Sequence, residues 1–183
     1  MSTKPATPLL TVDEFLVWAE SRPGRYELER GHVIAMSPER ARHAEVKGSA
    51  YTALQEACRR AALPCRVLPD GMTVRIDNAT ACEPDALVYC GPRLPGDALE
   101  VPEPVIVVEV LSPTTAYRDI GVKLADYFGL SSVQHYIIID PDRPMLVHHA
   151  RGEGSLIETR ILSEGVLRLD PPGLELSVSE LLA

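Results

Sequence analysis

The sequence predicts an α/β fold in which a central β-sheet is flanked by helices. Two observations favour this class: short β-rich runs alternate with helical segments, and two strongly apolar runs at 105–111 and 133–140 enclose a helical one. A chain of 183 residues favours a single domain over residues 1–183. Its 45% hydrophobic and 24% charged residues are typical of a globular protein and exclude disordered, collagen-like and disulfide-dense classes.

The first half predicts two helices separated by a hairpin. Thr11 and Glu14 form a capping-box pattern at the start of a short helix over 11–20. Alternating runs on either side of Arg30-Gly31 predict a hairpin over 25–36. Apolar residues at helical spacing predict the longest helix over 40–62, which Pro64 ends.

The middle of the chain predicts strands around a broken loop. The β-rich runs 65–69, 72–76 and 84–90 read as successive antiparallel strands, and the proline-rich stretch 92–104 reads as a surface loop. Because the next two strands are apolar on both faces, we expect a central β-α-β unit of 105–111, a helix from about 112 to 128, and 133–140.

The C-terminal part predicts a meander that closes the sheet. Its runs are 145–149, 156–162 and 166–169, each bounded by turn residues. A last helix at 177–182 is expected to cover an edge of the sheet.

Charge and targeting patterns bound the function. The net charge of −8 divides into +2 over residues 1–75 and −10 over 76–183, so the acidic part either faces solvent or gathers around a cation. A charge of this sign disfavours tight, metal-free binding of nucleic acid. No run reaches the roughly 18 apolar residues of a membrane span and no signal peptide is evident, which predicts a cytoplasmic protein.

The four cysteines lack the spacing of a metal site. Cys58, Cys65, Cys82 and Cys90 form no CxxC pair, and in a reducing compartment we expect them to be free.

Two carboxylates stand out against their surroundings. Glu109 interrupts the apolar strand at 105–111, and a buried ionised acid requires an ion-pair partner or a metal unless this face reaches solvent. Asp85 follows Pro84 at the start of another strand, where it either caps a turn or binds something. If the two strands are adjacent and antiparallel, the carboxylates converge, and an oxygen-only site of this kind suits Mg²⁺ or Mn²⁺.

Lys123 lies on the helix that follows the Glu109 strand. Its spacing from neighbouring apolar residues allows it to point toward the sheet, where an ammonium could stabilise charge on a phosphoryl oxygen. The alternative is an ordinary Asp119–Lys123 helix pair in water.

An ordered series of short motifs resembles the PD-(D/E)XK nuclease superfamily and, within it, the Uma-two family of restriction endonucleases. The series covers nearly the whole chain and consists of Tyr26-Glu27-Leu28, Gly31, His43, Pro84-Asp85, Val108–Pro113, Asp119, Lys123, Tyr127 and Tyr136–Asp140. The resemblance implies a restriction-endonuclease-like fold with a mixed central β-sheet, and an endonuclease that hydrolyses DNA phosphodiester bonds with Mg²⁺ or Mn²⁺.

The resemblance also assigns roles to residues. Asp85 and Glu109 would be the catalytic metal-binding acids, and the Val110 carbonyl would complete the metal's inner shell. The superfamily's lysine, two positions after the second acid, is replaced by Leu111, so Lys123 is the candidate for a migrated catalytic lysine. Glu27 resembles the family's additional acid, although a polar strand position is the alternative.

DNA contacts and partners are expected mainly from the basic N-terminal part. Candidate phosphate contacts are Arg22, Arg25, Arg30, Arg40, Arg42 and Lys47, any of which could instead be a solvated surface charge. His43 is a further candidate near the site, with helix capping or surface exposure as the alternative. A homodimer is expected by resemblance, and no base-reading motif is evident.

Two other functions fit the same residues. One is a catalytically inactive nuclease fold that binds DNA or protein, which Leu111 and the acidic charge favour. The other is a metal-dependent hydrolase of a small phosphorylated molecule, because two acids and a lysine do not select a polymer.

Overall fold

The fold is known from a computed structural model that describes residues 9–112 and 120–183. Pro113, Asp119 and the expected start of the helix after Ser112 lie outside the described residues. The alternative Asp119–Lys123 pair therefore lies outside them too.

Within the described residues the chain forms helices and strands close to those expected. The helices are α1 Val12–Glu20, α2 Ala41–Arg60, α3 Ile120–Gly129 and α4 Val178–Leu181. The strands are β1 Tyr26–Glu29, β2 His32–Ala35, β3 Cys65–Pro69, β4 Val74–Arg75, β5 Ala81–Cys82, β6 Ala86–Cys90, β7 Pro104–Val110, β8 His135–Asp140, β9 Met145–Arg151, β10 Ile157–Leu162, β11 Val166–Leu169 and β12 Leu174–Ser177.

A six-stranded mixed sheet forms the centre of the fold, with strand order β10-β9-β8-β7-β6-β3. The antiparallel pairing of β6 with β7 and the parallel pairing of β7 with β8 confirm the wide hairpin and the β-α-β unit. The α/β class with a mixed central sheet flanked by helices is therefore confirmed. The strand β7 has one parallel and one antiparallel neighbour.

Side chains alternate between the two faces of β7, and each face packs against a different helix. Val108 and Val110 join the apolar cluster that contains Val46 and Leu54 of α2. Val107 faces the opposite side, in the cluster that contains Tyr127, Phe128 and Leu124 of α3. Glu109 shares that second face, which directs its carboxylate toward α3.

A second sheet, with order β2-β1-β5-β4, carries the N-terminal hairpin. Its Leu28 and Ala81 pack against Val12 and Phe15 of α1, whose capping box between Thr11 and Glu14 is present as expected. This sheet supplies Glu27 to the site described below.

Some local predictions were wrong because pairing partners are distant in sequence. The strands expected at 65–69 and 72–76 belong to different sheets, and β4 pairs with the unforeseen two-residue β5. The strand β11 leaves the meander and pairs only with β12 among the described residues. The helix α4 packs into the apolar cluster beside α2 and contacts β12.

The expectation that all four cysteines are free was also wrong. Cys65 and Cys90 stand directly opposite each other in the β3–β6 ladder and form a disulfide, whereas Cys58 and Cys82 are free and buried. No helix in the described part of the chain combines the length and apolar character needed to cross a membrane.

Candidate active site

Asp85 directly precedes β6 and is bonded to the neighbouring strand β7 through both its backbone amide and its side chain. Its amide donates to the Val108 carbonyl at 3.0 Å, and its Oδ2 accepts from the Val110 amide at 2.7 Å. The side chain is buried. These bonds hold the carboxylate beside the segment that carries Glu109, and both acids line the same cavity.

Glu109 receives two hydrogen bonds from α3. Lys123 Nζ and the Tyr127 hydroxyl both donate to its Oε1, at 2.9 Å and 2.7 Å. The two donors are four residues apart and therefore occupy one face of the helix. The ammonium of Lys123 thus points into the fold toward the sheet.

Glu27 reaches the same point from the second sheet. Its Oε1 accepts from Lys123 Nζ at 2.9 Å and from the Glu83 amide at 3.0 Å. Lys123 therefore bridges the carboxylates of Glu27 and Glu109 and joins the two sheets at the site.

Burial and neighbouring charges set the protonation states of Glu109 and Lys123. Burial, with a lesser contribution from Asp85 and Glu27, raises the pKa of Glu109 to about 7 against the opposing effect of Lys123. Burial alone lowers the pKa of Lys123, but the attraction of Glu109 and Glu27 outweighs it and holds the pKa well above its usual value. Lys123 is therefore an ammonium at neutral pH.

His43 lies inside the site and neither caps α2 nor lies on the surface. Its Nε2 is 2.8 Å from the Val110 carbonyl oxygen and 3.8 Å from Asp85 Oδ2. A proton on Nε2 makes the ring a donor to that carbonyl and leaves Nδ1 unprotonated, with a free lone pair. Nδ1 is buried and has no hydrogen-bond partner among the described residues.

Lys47, expected as a DNA contact, is buried and faces carboxylates. Its Nζ contacts Glu39, lies 2.5 Å from Asp70 Oδ2 and lies 3.2 Å from Asp85 Oδ1. Only 7% of the Lys47 side chain is exposed. In this conformation it neutralises acids of the site and does not present its charge to a phosphate.

Arg25 belongs to the same ion-pair cluster, which we define as Arg25, Glu39, Lys47, Asp70 and Glu83. Its guanidinium contacts Glu39, Asp70 and Glu83. Lys47 connects this cluster to Asp85. Its ion pair with Asp70 links α2 to the residue that follows β3.

A cavity of about 340 Å³ opens over these groups. Asp85, Glu109, Glu27 and Lys123 all line it. Arg40, Arg42 and His43 line it too, and Arg42 is 67% exposed while its Nε donates to the Pro141 carbonyl. Arg40 and Arg42 therefore add positive charge to the lining of the cavity.

The donor set fits a divalent cation. Asp85 and Glu109 offer carboxylate oxygens and Val110 a carbonyl oxygen, the ligands that Mg²⁺ and Mn²⁺ prefer. A second group that could hold a metal is Glu39, His43 and Asp85, whose ligand atoms all lie within 4.8 Å of one another. Its unbonded His43 Nδ1 is chemically a metal ligand, and the two groups share Asp85.

Comparison with known proteins shows the family of the chain. Residues 12–182 match the model of the Uma2 family, which is described as "Putative restriction endonuclease". The chain belongs to this family.

Two relatives extend the match over nearly the full length. The chain is 26% identical over 182 residues to "Uncharacterized protein slr1290" of Synechocystis sp., covering 93% of this chain and 90% of the relative. It also resembles the crystal structure titled as a putative nuclease belonging to DUF820 from Anabaena variabilis, with a TM-score of 0.73 and 18% identity, covering 94% and 97% of the two chains. At that identity the structural likeness shows the fold alone.

The sequence alone did not indicate several groups of this candidate site. No role was expected for Tyr127, although its spacing of four from Lys123 places both on one helix face. Glu39, Asp70 and Glu83 were also not foreseen as partners, because only the folded pairing of distant segments brings them to Lys47 and Arg25.

Proposed function

We propose that this chain is a metal-dependent endonuclease that hydrolyses DNA phosphodiester bonds. The observation that carries the proposal is the convergence of Asp85 and Glu109 in one cavity, with the Lys123 ammonium bonded to Glu109. Membership of the Uma2 family supports the same reaction class.

Asp85, Glu109 and the Val110 carbonyl would hold the cation. A bound Mg²⁺ or Mn²⁺ supplies Lewis-acid polarisation of a phosphate and a hydroxide nucleophile at neutral pH. The Val110 amide is bonded to Asp85 and the Val110 carbonyl to His43. These two hydrogen bonds fix the Val110 carbonyl and the Asp85 carboxylate relative to each other.

The protein's own groups supply orientation and positive charge. Lys123 remains protonated because of its raised pKa, so it can neutralise negative charge that develops on a phosphoryl oxygen. Tyr127 and Glu27 fix the position of Lys123 and Glu109 through their hydrogen bonds. The lysine thus reaches the site from α3, whereas the superfamily pattern would place it on the strand.

Arg40 and Arg42 provide the approach for a polyanion. Both are exposed and line the cavity, and they belong to the N-terminal part of the chain that carries the positive share of the charge. A bound dication would further offset the acidity of the cavity. A homodimer would supply the second cleft needed to cut both strands of a duplex.

The test is cleavage of supercoiled plasmid and single-stranded DNA with Mg²⁺ or Mn²⁺, stopped by a chelator. Asp85→Asn and Glu109→Gln should each reduce cleavage by at least about a hundredfold with unchanged circular dichroism, since each removes a charged metal ligand. Lys123→Met should reduce the rate and leave metal affinity, measured by calorimetry, within about threefold. Cleavage unaffected by the two acid variants would contradict the proposal.

A catalytically inactive DNA-binding module is the second candidate. Leu111 in place of the strand lysine favours it, and the Lys123 ammonium already donates to the carboxylates of Glu27 and Glu109. Such a module would shift DNA in a gel without nicking it at any metal concentration. Cleavage of a small phosphate ester that DNA does not inhibit would instead favour the small-molecule hydrolase.

A further inference from the structure

The outer strand of the central sheet, β10, is unusually exposed. Every residue from Ile157 to Ile161 is exposed, and no described strand pairs with its outer edge. Leu156 and Ile161 are 66% and 68% exposed. Natural sheets usually protect such an edge with charged side chains, above all lysine, or with proline, a bulge or a covering segment. The segment 156–162 contains neither lysine nor proline, and its only charged residues are Glu158 and Arg160.

The sequence of this edge is symmetric about Thr159. Residues 156–162 read Leu-Ile-Glu-Thr-Arg-Ile-Leu, the same in both directions except that Glu158 and Arg160 exchange places. In an antiparallel pair of two copies centred on Thr159, each Ile157 faces an Ile161 and each Glu158 faces an Arg160. Every position thus meets a partner of matching chemistry, and both charged pairs are attractive.

The backbone is oriented for the same pairing. The Gly152 amide donates to the Leu156 carbonyl across the β9–β10 hairpin at 2.9 Å. Hydrogen bonding alternates along an antiparallel ladder, so Glu158 and Arg160 direct their backbone groups toward β9. Ile157, Thr159 and Ile161 then direct their N–H and C=O groups outward, in the spacing that a symmetric partner strand centred on Thr159 requires.

We propose that β10 is the dimer interface of this protein and that its partner is a second copy of the same strand. The two central sheets join edge to edge into one continuous sheet, with Thr159 on the two-fold axis. Within one chain, Arg160 Nη2 lies 3.2 Å from Glu158 Oε2, an exposed pair that stabilises a monomer little. In the dimer each charge gains an opposite charge from the other copy. The inference does not depend on nuclease activity.

Charge exchange on the full-length protein tests the register directly. Glu158→Arg and Arg160→Glu should each weaken self-association by about tenfold or more in sedimentation equilibrium, because both cross-strand pairs become like-charged. An equimolar mixture of the two variants should form a heterodimer, and the double exchange should restore the parent dimer. Arg168→Glu, the same change on β11 in an exposed pair with Glu175, is the matched control and should leave association unchanged.

A second variant tests the backbone hydrogen bonds. Ile161→Pro removes an outward N–H at a residue that is 68% exposed, and it should leave a folded monomer. A monomeric parent protein at about 100 μM would overturn the proposal. A parent dimer that all three edge variants leave intact, or two charge variants that do not associate when mixed, would overturn it as well. Nuclease assays on the same variants separate this result from the proposed activity.

Discussion

Lys47→Met should be among the most destabilising single substitutions outside the apolar core. The side chain of methionine retains most of the apolar stem of lysine, so the change removes the ammonium from among Glu39, Asp70 and Asp85 with little loss of packing. Removing one partner of a buried ion pair costs about 3–5 kcal/mol because a charge is left uncompensated.

The contacts of Arg25 place the expected cost at the lower end of that range. Arg25 still contacts Glu39 and Asp70 after the substitution, whereas Asp85 keeps only the Val110 amide and the more distant His43. We therefore expect a loss of about 3 kcal/mol in the free energy of unfolding. For a chain of this size that corresponds to a decrease in melting temperature of about 6–12 °C.

Urea unfolding followed by circular dichroism measures this loss. Arg60→Met is the matched control, because Arg60 lies on the same helix in exposed pairs with Glu56 and Glu180 and should cost no more than about 0.5 kcal/mol. If Lys47→Met and Arg60→Met have the same stability, Lys47 does not compensate buried charge and the assignment of the cluster is wrong.

Two further substitutions test other buried polar contacts. Tyr127→Phe removes the 2.7 Å hydrogen bond to Glu109 and should cost about 1.5–3 kcal/mol in urea unfolding. Tyr89→Phe, which removes only a 3.4 Å contact with the Leu94 amide, should cost less than about 1 kcal/mol, and equal losses would contradict the stronger role of Tyr127. His148 is 1% exposed, and burial together with His135, Arg160 and His149 lowers its pKa to about 4. Because the unfolded chain then binds the proton more readily, stability should fall on the order of 1–3 kcal/mol from pH 7 to pH 4, and His148→Gln should reduce this slope; an unchanged slope would contradict the assignment.

The sequence predicts the part of the site that depends on neighbouring elements. Apolar periodicity locates β6, β7 and β8, and their short sequence separation makes the antiparallel and parallel pairings foreseeable. Those pairings bring Asp85 beside the Glu109 segment, and helical spacing turns Lys123 toward it. Each inference uses local pattern and one connection, so little long-range information is needed.

The remainder depends on contacts between distant segments. Lys47 reads as a polar-face residue of a long helix, and only the approach of Asp70 and Asp85 shows that its ammonium is buried. The Cys65–Cys90 disulfide depends on the register of β3 against β6. A slip of one residue would place the two cysteines out of reach of each other. The two-residue β5 is too short to carry a detectable sequence pattern.

The position of Lys123 explains how this site can lack a lysine on β7. A residue two positions after Glu109 shares its face of the strand, and Leu111 packs there in the apolar cluster beneath α3. A lysine at that position would have to place its stem in the same cluster. Because α3 covers this face, a lysine on the helix can reach the same carboxylate from above, and the 2.9 Å bond from Lys123 to Glu109 does so. Leu111 then packs in the cluster beside α3, and this packing is consistent with our proposal that Lys123 takes the place of the superfamily's strand lysine.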